Sequence, residues 1–224
     1  MSLPAHTPLP PHARPGGGPD AAGVAAGMSA YAGLGADAVM PPRRVLPAGL
    51  PGDPSPRAEL ERLVRVDHAG EYGARRIYEG QIAVLGRTDV GPMLRHMRDQ
   101  ELEHLDYFER AIAARHVRPT ALQPVWHVAG YALGAATALM GRRAAMACTV
   151  AVEEVIDGHY AEQAERLPPE EAPLKASIER FRAEELEHRD IGIAHEAEQA
   201  PAYALLSAVI KATSRAAIWI SSRV

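Results

Sequence analysis

One unit occurs twice in this chain and limits what it can fold into: a lone Glu followed about thirty residues later by Glu-x-x-His. The first copy is Glu71 with Glu101-Leu-Glu-His104, and the second is Glu153 with Glu185-Leu-Glu-His188. The gaps nearly repeat, 30 residues from Glu71 to Glu101 and 32 from Glu153 to Glu185. Residues three apart share one face of a helix, so each Glu-x-x-His presents a carboxylate and an imidazole to the same point. The pattern therefore asks for four helices that bring four carboxylates and two imidazoles together.

The rest of the chain supplies those helices. From Pro56 onward no stretch alternates like a strand. Punctuation by Pro, Gly and capping residues predicts helices over 57–86, 90–116, about 121–140, 142–167 and 173–199, and from 201 to the end. Ser55 is the expected N-cap of the first, with Pro56 at its first position, and Thr120 is the expected cap of the third. Within these bounds Glu71, Glu101, Glu153 and Glu185 each fall near a helix midpoint. In antiparallel helices of similar length midpoints share one layer, so the carboxylates converge without any adjustment of register.

Neighbouring residues compete for the same roles. Glu184 lies four residues before His188, but Gln100 occupies the equivalent place before His104, so only the three-residue pairing recurs. Glu103 and Glu187 point about 100° away from the histidines beside them and are expected to be exposed or to lie outside the ligand set. Glu153 is preferred to Glu154 because its face continues through Met146, Thr149, Val150, Ile156 and Tyr160. His68, three residues before Glu71, is expected to hydrogen-bond near the site rather than to ligate.

Composition narrows the chemistry. Net charge is −4 and pI about 6.2, so no basic field recruits nucleic acid. The single Cys148 excludes a disulfide framework and a Cys-x-x-Cys electron-transfer site, and its small neighbours predict a packing role. Residues 1–55 differ in kind: through Pro56 the chain holds 12 of its 19 prolines and 9 of its 19 glycines. Such a segment buries too little apolar surface to offset its entropy and is expected to be disordered, and neither a secretory signal nor a mitochondrial presequence is expected there. Two domains are thus expected, an extension over 1–55 and a helical domain over 56–224.

The ligand set Glu, Glu-x-x-His, Glu, Glu-x-x-His is that of ferritin-like di-metal carboxylate proteins. Carboxylates with imidazoles suit a pair of iron or manganese ions; structural zinc prefers thiolates, and calcium avoids imidazole. The fold class is therefore all-α, a ferritin-like four-helix bundle with two additional helices. The wording around the ligands is more specific. Arg65-Val-Asp-His-Ala-Gly-Glu-Tyr-Gly-Ala74, Gln100-Glu-Leu-Glu-His104, Ala147-Cys-Thr-Val-Ala-Val-Glu-Glu154, Glu184-Glu-Leu-Glu-His-Arg-Asp-Ile-Gly192 and Ala200-Pro-Ala-Tyr203 resemble the demethoxyubiquinone hydroxylase family of ubiquinone biosynthesis. The resemblance covers about residues 57–224.

The resemblance implies a di-iron monooxygenase that uses O2 to hydroxylate the ring of a demethoxylated polyprenyl quinol. Two iron ions per subunit would be held by Glu71, Glu101, His104, Glu153, Glu185 and His188. NADH is implied as the electron source, entering through bound quinone or a surface site; the sequence encodes no Gly-x-Gly-x-x-Gly dinucleotide fold. His159 and Tyr160 resemble a His-Tyr pair near the family's site, a core Tyr and a surface His being the plain alternative. Homo-oligomerisation or a ubiquinone-biosynthesis complex is implied as well.

Helices 3 and 6 bear on the membrane. Residues 121–140 carry Gln123, Pro124 and His127 among apolar residues with Trp126 and Tyr131. Residues 201–220 place Lys211 and Arg215 opposite Leu205, Leu206, Val209, Ile210, Ala216 and Ile220, interrupted by Thr213, with Trp219 near the end. Neither is a clean apolar span. The pattern serves a membrane interface, bundle core or a dimer contact; the resemblance and its lipophilic substrate favour the interface. The implied location is peripheral, on the cytoplasmic face of a bacterial cell membrane or on the mitochondrial inner membrane of a eukaryote. An iron-storage ferritin and a non-catalytic helical bundle or membrane adaptor are the rival classes.

Overall fold

The computed structural model describes residues 53–224, so the expected disorder of the N-terminal extension falls almost wholly outside the described residues. Six α-helices follow: α1 Pro56–Leu85, α2 Gly91–Arg115, α3 Gln123–Leu139, α4 Arg142–Arg166, α5 Ala172–Ala194 and α6 Tyr203–Ser221. Short 3-10 turns at Pro169–Glu171 and Ala197–Gln199 flank α5. Among the described residues there is no strand, as the absence of alternation predicted.

Local chemistry accounts for most boundaries. The Ser55 hydroxyl accepts from the Ala58 amide at 3.2 Å, with Pro56 at the first helical position. The expected Thr120 cap is corrected: α3 starts after Leu122, and Thr120 Oγ1 accepts instead from the Leu122 amide, bending the turn before the helix. α5 stops at Ala194 rather than 199 because Glu196 is left-handed, with φ 66°. α6 starts at Tyr203 rather than 201 because Ala202 is left-handed too, with φ 52°.

α1, α2, α4 and α5 form the four-helix bundle; α3 packs on α1, and α6 packs on α4. The α1–α3 contact is close because glycine faces backbone. A Cβ on Gly134 would sit 1.9 Å from the Ile77 carbonyl oxygen, and one on Gly80 2.2 Å from that of Tyr131.

The bundle core is two apolar clusters with the carboxylates between them. One gathers Val64, Phe108, Ile112, Tyr160, Ile178 and Phe181. The other gathers Tyr78, Leu94, Met97, Ala144, Met146 and Val150. Along each helix the order is cluster, acidic residue, cluster, as at Val64, Glu71 and Tyr78 on α1. The polar layer is therefore sealed at both ends by packed side chains, and its charges cannot reach water along the bundle axis.

The outer helices hold the exposed apolar residues. Val125, Val128 and Leu139 of α3 and Leu205, Val209 and Trp219 of α6 are all exposed. By length and composition α6 is apolar enough to cross a membrane. Two expectations about its faces are corrected. Ile210 is buried at 1% exposure while Val209 is 53% exposed, since neighbours on a helix lie about 100° apart. The Lys211 ammonium pairs with Glu154 of α4, so it ties α6 to the bundle instead of facing outward.

Candidate metal centre

Midway along the bundle the expected side chains meet. Glu71, Glu101, His104 and Glu185 form one group, and Glu101, Glu153, Glu185 and His188 form a second; within each, one potential ligand atom per residue lies within 4.8 Å of the others. Glu101 and Glu185 belong to both, and Glu185 is split between the halves. Its Oε1 is 3.0 Å from His104 Nδ1, and its Oε2 is 3.3 Å from His188 Nδ1. His104 Nδ1 is also 3.4 Å from Glu71 Oε2, and His188 Nδ1 is 3.3 Å from Glu101 Oε1 and 4.0 Å from Glu153 Oε1. All six are buried.

Buried polar atoms are nearly always partnered, and here a whole cluster is not. Glu71 Oε2, both oxygens of Glu101 and of Glu185, Glu153 Oε2 and the Nδ1 atoms of His104 and His188 have no hydrogen-bond partner. These unpaired atoms face one another. Two buried cations would satisfy them together, and the donor set, oxygen with imidazole nitrogen, suits iron or manganese.

Electrostatics point the same way. Burial, then the charges of neighbouring carboxylates, pushes Glu101 and Glu153 well above the usual carboxylate range. Burial works against an ionised Glu185 too, but the imidazoles of His104 and His188 facing its two oxygens outweigh it and hold this carboxyl below its usual value. Both histidines are raised: burial alone would lower them, and the carboxylates around them prevail. Four carboxylates in a dry layer need positive charge, and metal cations or protons must supply it.

Around the six lies a ring of oriented partners. Tyr160 donates to Glu71 Oε1, and Tyr78 donates to Glu153 Oε1 at 2.8 Å. Burial and the facing carboxylates push both phenols well above their usual range, which keeps them as donors. His104 Nε2 donates to Glu184 Oε2 at 2.5 Å, and His188 Nε2 donates to Gln100 Oε1 at 3.0 Å. Each histidine is thereby oriented with Nδ1 towards the carboxylates.

The remaining expectations sort cleanly. Glu103, Glu187 and Glu154 are exposed. His68 is buried and belongs to neither group, but its Nδ1 has no hydrogen-bond partner, so the expected hydrogen bond near the site is corrected there. Tyr160 reaches the carboxylate layer, while His159 lies 3.3 Å from Asp67 Oδ1, whose other oxygen accepts from Gln163 at 2.7 Å. Tyr78, Asp67 and the acceptor roles of Gln100 and Glu184 were missed. Tyr78 had a signal, because it follows Glu71 by seven residues just as Tyr160 follows Glu153.

One side of the site opens to an apolar cavity of about 180 Å3 between α1, α3, α4 and α6. Glu71, His159 and Tyr160 reach its wall, and Ile77, Trp126 and Ile218 supply much of the rest. At Gly70 and Gly73 an added Cβ would meet nothing within 4 Å, so the α1 wall is bare backbone where the cavity approaches Glu71.

Comparison with known proteins adds the following. Residues 58–221 match the family described as ubiquinone biosynthesis protein COQ7. The chain is 62% identical over 177 residues to 3-demethoxyubiquinol 3-hydroxylase of Rhodospirillum rubrum, a match covering 78% of this chain and 83% of that protein. It is 56% identical over 181 residues to the NADPH-dependent 3-demethoxyubiquinone 3-hydroxylase, mitochondrial, of Mus musculus, covering 79% and 83%. To the 5-demethoxyubiquinone hydroxylase, mitochondrial, of Saccharomyces cerevisiae it is 42% identical over 184 residues, covering 75% and 79%.

Proposed function

The chain belongs to the family of the ubiquinone biosynthesis protein COQ7, and on that footing we propose that it is a di-iron monooxygenase hydroxylating the ring of a demethoxylated polyprenyl quinol at a membrane surface. One atom of O2 enters a ring C–H bond and the other leaves as water, with two electrons and one proton drawn from a reduced nicotinamide nucleotide as hydride and the second proton from solvent. The observation that carries this reading is the pair of four-residue groups sharing Glu101 and Glu185, buried and unpaired, beside an apolar cavity.

Glu71 and His104 would hold one iron, Glu153 and His188 the other, with Glu101 and Glu185 reaching both. When bound, the iron pair would pass on those electrons and activate O2, which the side chains themselves cannot do. The protein's own part is placement. Packed clusters at either end keep water from the layer, and Tyr78 and Tyr160 fix the carboxylates of Glu153 and Glu71.

The cavity fits an uncharged aromatic ring with an apolar tail. Its bare backbone at Gly70 and Gly73 lets the ring approach Glu71, and His159, backed by Asp67, stands where a quinol hydroxyl would need a proton acceptor or donor. A substrate this lipophilic has to arrive from a bilayer, and the exposed apolar residues of α3 and α6 offer the contact. We therefore place the protein peripherally, at the cytoplasmic face of a bacterial membrane or at the mitochondrial inner membrane of a eukaryote.

The nucleotide in the mammalian relatives' names is NADPH, where the resemblance had implied NADH. The test supplies iron-loaded protein with a demethoxyquinone analogue, O2 and either nucleotide. Hydroxylated product dependent on iron and on one or both nucleotides is expected. Iron uptake and oxidation without product would favour storage and overturn the proposal.

A further inference from the structure

The ligands of the two halves correspond, and of the side chains hydrogen-bonded to those ligands one corresponding pair differs. Tyr160 on Glu71 mirrors Tyr78 on Glu153, and Glu101 and Glu185 are common to both halves. Gln100 and Glu184 also correspond, each standing directly before the Glu of a Glu-x-x-His pair. Each reaches across the bundle to the histidine of the opposite half. His104 therefore donates to a carboxylate at 2.5 Å, and His188 donates to a neutral amide oxygen at 3.0 Å.

That difference has a direct electronic meaning. A carboxylate on the far nitrogen of an imidazole draws the N–H proton towards itself and makes the near nitrogen a stronger donor to a cation. Hydrogen bonds to a charged acceptor are roughly twice as strong as those between neutral groups. Glu184 is also well placed for the task. Its second oxygen lies 3.7 Å from the Arg180 guanidinium, which stacks on Phe181, and the Phe181 ring lies 4.2 Å from the His104 imidazole. The carboxylate, its arginine and the histidine are thus braced by one aromatic ring.

Resting on the di-metal reading above, we propose that Glu184 and Gln100 make the two metal positions unequal. The position at Glu71 and His104 is the stronger-donor one; it holds a divalent cation more tightly and is the more easily oxidised of the two. The position at Glu153 and His188 is the weaker. Because Glu71 borders the cavity, the electron-rich position is the one beside the bound ring. Glu184 and Gln100 act through the histidines and are positioning residues.

The test titrates cobalt(II) into full-length, metal-stripped protein, following heat and visible absorption. The wild type should bind two cobalt ions in two resolved steps. Glu184→Gln should weaken the tighter step by about 10–100-fold and leave the other within about twofold, bringing the steps together. Gln100→Glu should tighten the weaker step, and this variant carries the test by itself if Glu184→Gln fails to fold. Glu187→Gln removes the same charge from the exposed face of α5 and should move neither step. Equal shifts of both steps in Glu184→Gln, or the same response in Glu187→Gln, would overturn the inequality while leaving the di-metal reading standing. A wild type that binds no cobalt would overturn both.

Discussion

Glutamate is plentiful on α2 and α5, and two residues along the helix separate the buried ones from the exposed ones. Glu101 and Glu185 are fully buried and reach both histidines, whereas Glu103 and Glu187 two residues on are solvent-exposed. Replacing Glu101 and Glu185 together with Ala should remove bound iron and abolish turnover. The matching pair Glu103→Ala and Glu187→Ala should retain two irons per chain and turnover within about twofold, since exposed sites away from such features rarely matter. Full iron in the Glu101/Glu185 variant would sink the ligand assignment. The six residues were legible because a three-residue helical spacing and a shared midpoint are both local properties. Tyr78 was one step away by the same seven-residue logic, but a lone Tyr carries no sign of its partner. The acceptor roles of Gln100 and Glu184 were not legible, because each depends on how α2 and α5 sit against one another.

Among the elements, helix identity was readable throughout, and the errors gather where the backbone turns without glycine. Glu196 and Ala202 adopt left-handed conformations that residues with a Cβ rarely take, so Pro201 marked the break between α5 and α6 but nothing in the sequence announced that α5 stops at Ala194 and α6 starts at Tyr203. The faces of α6 were misread for a related reason. A stretch of mixed apolar residues fits several rotations of the helix, and the Lys211–Glu154 pair across to α4 selects one. This fixes the outward side at Leu205, Val209 and Trp219. Leu205→Glu with Val209→Glu should release the protein from anionic vesicles and leave its melting temperature nearly unchanged. Turnover should fall much further for a long-tailed quinol than for a water-soluble short-tailed one. Ile210→Ala should behave oppositely, keeping vesicle binding but costing about 2–5 kcal/mol of stability, as buried large-to-small changes do. Vesicle binding unaffected by the two glutamates would show that the exposed face of α6 has another use.

At the scale of the whole molecule, three arrangements have to hold at once. The bundle seals a charged layer between two apolar clusters, the layer offers unpaired ligand atoms for two cations, and the cavity joins that layer to the side carrying α3 and α6. The first two follow from patterns within single helices, which is why they could be anticipated. The cavity could not, since it arises where Gly70 and Gly73 of α1 leave open space beside the outer helices. Together they predict chemistry in which dioxygen itself is split at a site that a lipid-borne ring can reach. Supplying heavy-isotope dioxygen to iron-loaded protein with a short-tailed demethoxyquinol and a reduced nicotinamide nucleotide tests this most directly. The account predicts product carrying one heavy oxygen atom on the ring, with none from labelled water. Hydroxylated product whose new oxygen comes from water, or iron-loaded protein that consumes dioxygen and yields no such product, would contradict it.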